Sequence, residues 1–327
     1  MTIDWPALKK IIDDNERFVL TSHIRPDCDA LGSALGMALV LDALGKDVRI
    51  VNGMAAPPNL DFIDPDRRIE TLDEGVTAED LADRQVHLVL DTSAWAQLGP
   101  MADVYKNTSA RKIVMDHHVG EDDLGAEFFK DRQSPATGQI VFEAAGHLGV
   151  TLTKEMATPL YAAIATDTGW YRFNSTTSTT YRTAAALVDA GADPAWIYGE
   201  LYEKDTLARL RLRGLITSRT ATKLDGRVAY TYVERADLAT TGALATDTED
   251  VINLTLTVEG VEVAVIMVEL EDGRFKLSFR SRCDVNCAEL AQEFGGGGHK
   301  AAAGAAIDGP LETAQTKVLD AVLAAMR

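Results

Sequence analysis

Apolar residues recur along this chain in two rhythms, short near-continuous runs and longer stretches at helical spacing, and the two alternate over the first 190 residues. Residues 17–20, 47–51, 86–90 and 111–115 read as strands. Residues 5–14, 30–44, 137–148 and 154–166 place apolar positions three and four apart, as helices do. Val86-His87-Leu88-Val89-Leu90 is apolar at nearly every position, as a parallel strand covered on both faces requires. The alternation predicts an α/β fold with a doubly wound, mainly parallel sheet over residues 1–190.

Beyond it, residues 175–180 form a hydroxyl-rich stretch expected to be a loop, followed by a helix over 183–190. Residues 194–219 are charged and helical, either joining two lobes or packing on the second; 191–219 is taken as a helical linker. A smaller α/β domain is expected over 220–327, with strands at 228–233, 261–270 and 274–281. The last two meet at the turn Glu271-Asp272-Gly273, and a helix over 285–294 leads into Gly295-Gly296-Gly297-Gly298-His299.

Composition narrows the function. A chain of 327 residues, 46% hydrophobic, can bury two cores. Its 50 acidic against 32 basic residues give a net charge of −18, which disfavours a long nucleic-acid track. A polyanionic substrate would need a local positive patch or bound metal. Three cysteines make neither a disulfide framework nor a four-ligand zinc site, and point to a reducing compartment. No basic-then-apolar leader opens the chain, and charges such as Asp42 and Glu262 interrupt its apolar stretches; a cytoplasmic protein with no membrane association is expected.

The chemistry stands where strands end. His23, Asp27 and Asp29 follow the first strand and open a helix, with Pro26 fixing one φ and biasing Arg25 toward an extended conformation. Asp91 ends another strand, and Asp116-His117-His118 a third. Asp167 closes a helix, where the helix dipole disfavours a carboxylate unless a cation is near. Each acid alone reads as readily as a helix cap or turn residue. Together, His23, Asp27, Asp29, Asp91, His117 and Asp167 suit two divalent metal ions, with Asp91 as the candidate bridge. Adjacent residues at a strand end point apart, so one of the two histidines should ligate and the other face the substrate. Asp116 should accept the second N–H of one ring.

These motifs, in this order, resemble the four-motif signature of the DHH phosphoesterase superfamily. Ser278-Phe279-Arg280-Ser281 and the glycine-histidine run resemble the DHH-associated C-terminal domain. The resemblance implies that Arg280, Ser281, Asn286 and His299 hold a nucleotide, with Gly296, Gly297 and Gly298 close to it; Arg172, just after the Asp167 motif, is a further candidate. It further implies Asp91, Asp116 and His118 as catalytic, His118 protonating the leaving oxygen or contacting the phosphate, and Mn²⁺ as the metal, with Mg²⁺, Co²⁺ or Zn²⁺ compatible with the donors. The two lobes are most similar to the nanoRNase and pAp-phosphatase subfamily. That implies hydrolysis of oligoribonucleotides of two to five nucleotides, or of 3′-phosphoadenosine 5′-phosphate, by water that two metals activate, in a possible homodimer. Alternatives are a cyclic di-AMP or pApA phosphodiesterase, a RecJ-like exonuclease, or a nucleotide sensor with little turnover. Ser281-Arg282-Cys283-Asp284 departs from the Ser-Arg-Lys-Lys segment of related pyrophosphatases, which argues against pyrophosphate as substrate.

Overall fold

In the computed structural model, residues 3–248 and 251–327 are described, and the chain forms two compact units, Met1–Lys204 and Asp205–Arg327. In chain order the first unit contains α1 (Trp5–Asp13), β1 (Arg17–Thr21), α2 (Cys28–Ala43), β2 (Asp47–Asn52), β3 (Ile69–Thr71) and β4 (Val86–Leu90). It continues with α3 (Trp95–Leu98), α4 (Met101–Asn107), β5 (Arg111–Asp116), β6 (Glu127–Lys130), α5 (Thr137–Leu148), α6 (Lys154–Asp167), α7 (Ser178–Asp189) and α8 (Pro194–Tyr202). Its sheet is wholly parallel in the order β3-β2-β1-β4-β5-β6, so the strands reverse direction of progression at β1. That switch point is where open α/β sheets bind ligands, at the carboxyl ends of the strands.

One face of this sheet packs against α1, α2, α5 and α6, burying Phe18, Leu20, Leu88 and Met115 with Leu31, Leu35, Ile140 and Leu160. Smaller clusters around Val19 and Val51, and around Val89, Tyr105 and Val114, cover the other. Gly32 lets α2 and α6 touch: a Cβ there would meet the Pro159 carbonyl oxygen at 2.4 Å. This contact fixes the first turns of α2 against the middle of α6, and both helices carry acids of the site.

The second unit contains α9 (Leu207–Ser218), β7 (Ala221–Lys223), β8 (Val228–Val233), α10 (Arg235–Thr241), α11 (Val251–Thr255), β9 (Val263–Glu269) and β10 (Phe275–Ser281). Then follow α12 (Cys287–Gln292), β11 (Gly297–His299), β12 (Ala302–Ile307) and α13 (Leu311–Ala325). The mixed sheet runs β11-β12-β10-β9-β8-β7. Alternate residues of β9 feed two cores, Val263, Val265 and Met267 toward α12 and α13, Ala264, Ile266 and Val268 toward α9 and α11.

The structure departs from the sequence reading in four places, each with a local cause. Residues 194–219 form two helices, because the Thr206 hydroxyl accepts the Arg209 N–H and starts α9 afresh; α8 belongs to the first unit and α9 to the second. α7 begins at Ser178 within the hydroxyl-rich stretch, since Thr177 and Thr180 form a capping box. Arg25 has φ of 53° rather than an extended value, the left-handed turn that carries the chain from His23 back to Asp27. The glycine run is partly a strand, since Gly297–His299 pairs with Ala302–Gly304. No helix among the described residues is long and apolar enough to cross a membrane.

Candidate active site

β1, β4 and β5 are neighbours in the sheet, so their carboxyl ends bring His23, Asp91 and His117 together. The start of α2 adds Asp27 and Asp29, and the last residue of α6 is Asp167. All six acids and imidazoles predicted as ligands converge in two trios, His23 with Asp27 and Asp91, and Asp29 with His117 and Asp167, while Asp91 and His117 also form a third group with His118. Asp91 lies between them. Its Oδ2 is 3.5 Å from His23 Nε2, and its Oδ1 is 3.6 Å from His117 Nε2.

Both imidazoles are oriented as ligands. His23 Nδ1 lies 2.9 Å from the Ile24 carbonyl oxygen and His117 Nδ1 lies 3.2 Å from that of Ser134. A carbonyl only accepts, so in each ring Nδ1 carries the proton and the Nε2 lone pair points at the carboxylates. His117 Nε2 is 3.5 Å from Asp167 Oδ2 and 3.8 Å from Asp29 Oδ2.

Asp27 and Asp29 serve the fold as well. Asp27 caps α2 by accepting the Ala30 N–H at 3.0 Å on the same oxygen, Oδ1, that stands 3.8 Å from His23 Nε2. Asp29 accepts the N–H groups of Thr137 and Gly138 at the start of α5, at 2.7 and 2.9 Å. Asp91, in the left-handed region at φ of 62°, accepts the Thr137 hydroxyl at 2.8 Å. Cys28, between two of the acids, is buried, and burial pushes its thiol up to about 12, so it fills space as a protonated group.

The electrostatics show a site built for cations. Burial, then the Asp29 charge, raise Asp91 well above the usual carboxylate range, and the same two causes push Asp167 up to about 6. Burial also raises Asp29, with the His117 imidazole opposing. Burial disfavours charge on His23, but the Asp27 and Asp91 carboxylates outweigh it and hold its pKa at about 10. A proton on His23 is thus the nearest substitute for a divalent ion in this centre. Among the described residues no lysine or arginine pairs with Asp29, Asp91 or Asp167.

Asp116 has a different task. It is fully buried and accepts His118 Nδ1–H at 2.8 Å, the Ser93 hydroxyl at 2.5 Å and the Lys130 ammonium at 2.9 Å. Burial alone would raise its pKa, but these donors hold it well below the usual carboxylate range. The ring that Asp116 orients is therefore that of His118, the imidazole outside the two trios, whose side chain stays half exposed. A cavity of about 500 Å³ opens there, lined by His23, Asp91, Ser93, Gln97 and His118 among others.

Sequence reading missed Lys130, Ser93 and Thr137. Lys130 arrives by strand register, since β6 pairs with β5 so that Lys130 stands opposite Asp116. Its side chain is 7% exposed. Lys130→Met is expected to destabilise the protein by on the order of 3–5 kcal/mol, because it strands a buried carboxylate. Urea unfolding of the two proteins measures it, and an unchanged midpoint would remove the ion pair from the account.

The second unit sorts its own candidates. Arg280, Ala302 and His299 stand opposite one another across β10, β12 and β11, so Arg280 and His299 share a face with only an alanine between them. Ser281 lies on the opposite face; its hydroxyl meets the Cys283 carbonyl at 3.3 Å. Asn286 is not brought to that face as a free amide: it caps α12 by accepting the Ala288 N–H, and its amide donates to Glu289. The close approach that the glycines allow is to β12, since a Cβ on Gly298, at φ of 149°, would lie 2.6 Å from Ala303 Cα. Arg172 is exposed, after α6 in the first unit, with its Nε on the Gly169 carbonyl at 2.6 Å.

Residues 17–164 match the DHH family, N-terminal domain, and residues 225–327 match the DHHA1 domain. The chain is 33% identical over 312 residues to the bifunctional oligoribonuclease and PAP phosphatase NrnA of Thermus thermophilus, covering 93% of this chain and 88% of that one. It is 26% identical over 314 residues to the cyclic-di-AMP phosphodiesterase GdpP of Geobacillus thermodenitrificans, spanning 90% of this chain but 45% of that protein. Among solved structures, an exopolyphosphatase-related protein from Bacteroides fragilis superposes with a TM-score of 0.86 at 28% identity, over 97% of this chain and 94% of that one. DHH enzymes are metal-dependent, and the paired trios supply groups that could hold metal. With the acids at parallel strand ends, both domains in order and a relative at this identity over most of its length, the chain belongs to the DHH family and is a phosphoric ester hydrolase.

Proposed function

We propose that this protein hydrolyses oligoribonucleotides of two to five nucleotides and 3′-phosphoadenosine 5′-phosphate, with two divalent cations, Mn²⁺ by preference, in the paired trios. The observation that carries the metal reading is Asp91, whose two oxygens face two imidazoles from opposite sides, as a bridging carboxylate requires. The activities printed for the Thermus thermophilus relative support the substrate class. The charge of −18 supports short substrates over long strands.

Such ions, when bound, lower the pKa of water and draw charge from the phosphoryl oxygens. The protein's own groups do the rest. His23 and His117 present Nε2 with the proton kept on Nδ1 by a carbonyl. Asp29 is held rigid by two backbone N–H groups of α5. His118 gives its Nδ1–H to Asp116, so its Nε2 is the atom left to pass a proton to the leaving oxygen. In the second unit, Arg280 offers a planar fork to a phosphate, and His299 extends the same face.

The test is hydrolysis of 5′-labelled RNA of two nucleotides against one of roughly twenty, with Mn²⁺ and a chelator control. Preference for the dinucleotide, abolished by chelator, is expected. Equal or faster cleavage of the long strand would overturn the size assignment in favour of a RecJ-like exonuclease. 3′-Phosphoadenosine 5′-phosphate and cyclic di-AMP complete the panel, the latter because of the GdpP relative.

A further inference from the structure

The helix that ends in Asp167 leads into three consecutive residues in the left-handed region, Gly169, Trp170 and Tyr171, at φ of 56°, 59° and 62°. Two bulky aromatic residues in that conformation are costly, and such strain persists where surrounding structure holds it. What it does here is turn Trp170 onto α8. Trp170 meets Tyr198 at 5.0 Å between ring centroids and Tyr202 at 5.7 Å, both nearly edge-on. Tyr198 and Tyr202, four residues apart on one face of α8, lie 5.0 Å from each other.

These rings are not simply core. Tyr198 and Tyr202 keep 39% and 49% of their surface exposed, unusual for two neighbouring large rings. Arg172 follows directly and is exposed; among the described residues its guanidinium bonds only the Gly169 carbonyl, through Nε, and pairs with no carboxylate. Arg49, Arg68, Arg111, Arg132 and Arg227 pair with acids, whereas Arg172, beside the rings, keeps its charge available for a phosphate. Trp170 follows three residues after Asp167, the last residue of α6, so the rings it meets stand next to the acidic centre.

We propose that Trp170, Tyr198 and Tyr202 form a stacking shelf for one nucleobase of the substrate, with Arg172 contacting the adjoining phosphate. The proposal rests on the nucleotide reading above and deepens it. Every base has a π face, so a shelf of this kind holds nucleotides without reading sequence, as a scavenger of short fragments needs. The guanidinium adds local positive charge on an acidic protein.

The test compares Tyr202→Leu, Tyr198→Leu and Tyr202→Phe with the wild type on a dinucleotide and on its analogue lacking one base. Each leucine variant is expected to raise KM for the dinucleotide at least about fivefold, the low end for losing one stacked ring. KM for the abasic analogue should stay put, and Tyr202→Phe should restore the dinucleotide value. Unchanged KM for the dinucleotide, or an equal rise for both substrates, would overturn the shelf. A changed oligomeric mass by light scattering with unchanged KM would overturn it too, by giving the face to a second copy of the chain. If the wild type cleaves no dinucleotide, the substrate reading fails by itself. Quenching of Trp170 fluorescence by AMP, with Trp170→Phe as control, then decides the shelf, and its absence at millimolar AMP counts against it.

Discussion

Asp91→Asn is expected to cut turnover at least about a thousandfold while raising the melting temperature of the metal-free protein. The two effects have one cause. Asp91 is 2% exposed and faces both trios, so losing its charge removes the one carboxylate among the described residues that stands beside both His23 and His117. Two cations then have no shared ligand, and the geometry that lets them act on one phosphate is gone. Without metal, however, Asp91 sits near Asp29 and Asp27, and their charges repel. An asparagine relieves that repulsion and can still accept the Thr137 hydroxyl. The check is a steady-state assay beside thermal melts with and without Mn²⁺. The wild type should gain stability from Mn²⁺ and the variant much less. Normal turnover in Asp91→Asn would sink the bridging role.

The acids and histidines were legible in the sequence because each stands at the start or end of a strand or helix whose pattern is itself legible. What was lost is what arrives through space. Lys130 reaches Asp116 by the β5–β6 register, and β6 is a four-residue edge strand, Glu127-Phe128-Phe129-Lys130, too short for a period to show. The N–H groups of Thr137 and Gly138 reach Asp29 across more than one hundred residues, as backbone atoms that no side-chain pattern announces. Ser281 is different, since its placement was readable. In a strand adjacent residues face opposite sides, so Arg280 and Ser281 do not present their side chains on one face. The resemblance supplied both residues, and periodicity separates them. The left-handed turns at Arg25 and Trp170 were hidden for a further reason: neither residue type favours that region, so only the finished packing demands it.

The contribution of the acidic centre to the stability of the metal-free protein is expected to fall as pH rises toward about 9, and added Mn²⁺ to reverse that slope; below about 6.5 the buried His87, which burial holds down to about 3, acts in the opposite sense. Asp167 has a folded pKa of about 6, raised by burial and by Asp29. An acid raised in this way favours the folded state below its unfolded pKa, and that support is lost as pH climbs through about 6. His23 acts in the same direction over the next window. Its folded pKa of about 10 lies above the unfolded value of 6.5, so its contribution is full below 6.5 and fades as pH approaches 10. Asp116, depressed by His118, Ser93 and Lys130 against the effect of burial, favours folding at all pH values above the carboxylate range and does not tilt this interval. Metal binding inverts the requirement, because a ligating His23 must be neutral and Asp167 ionised. Mn²⁺ should therefore bind more tightly at pH 8.5 than at pH 6 and release protons as it binds. Calorimetry in two buffers of different ionisation enthalpy counts those protons, and melts at both pH values give the slope. Binding without proton release at pH 8, where His23 is still protonated in the metal-free site, would take His23 out of the ligand set.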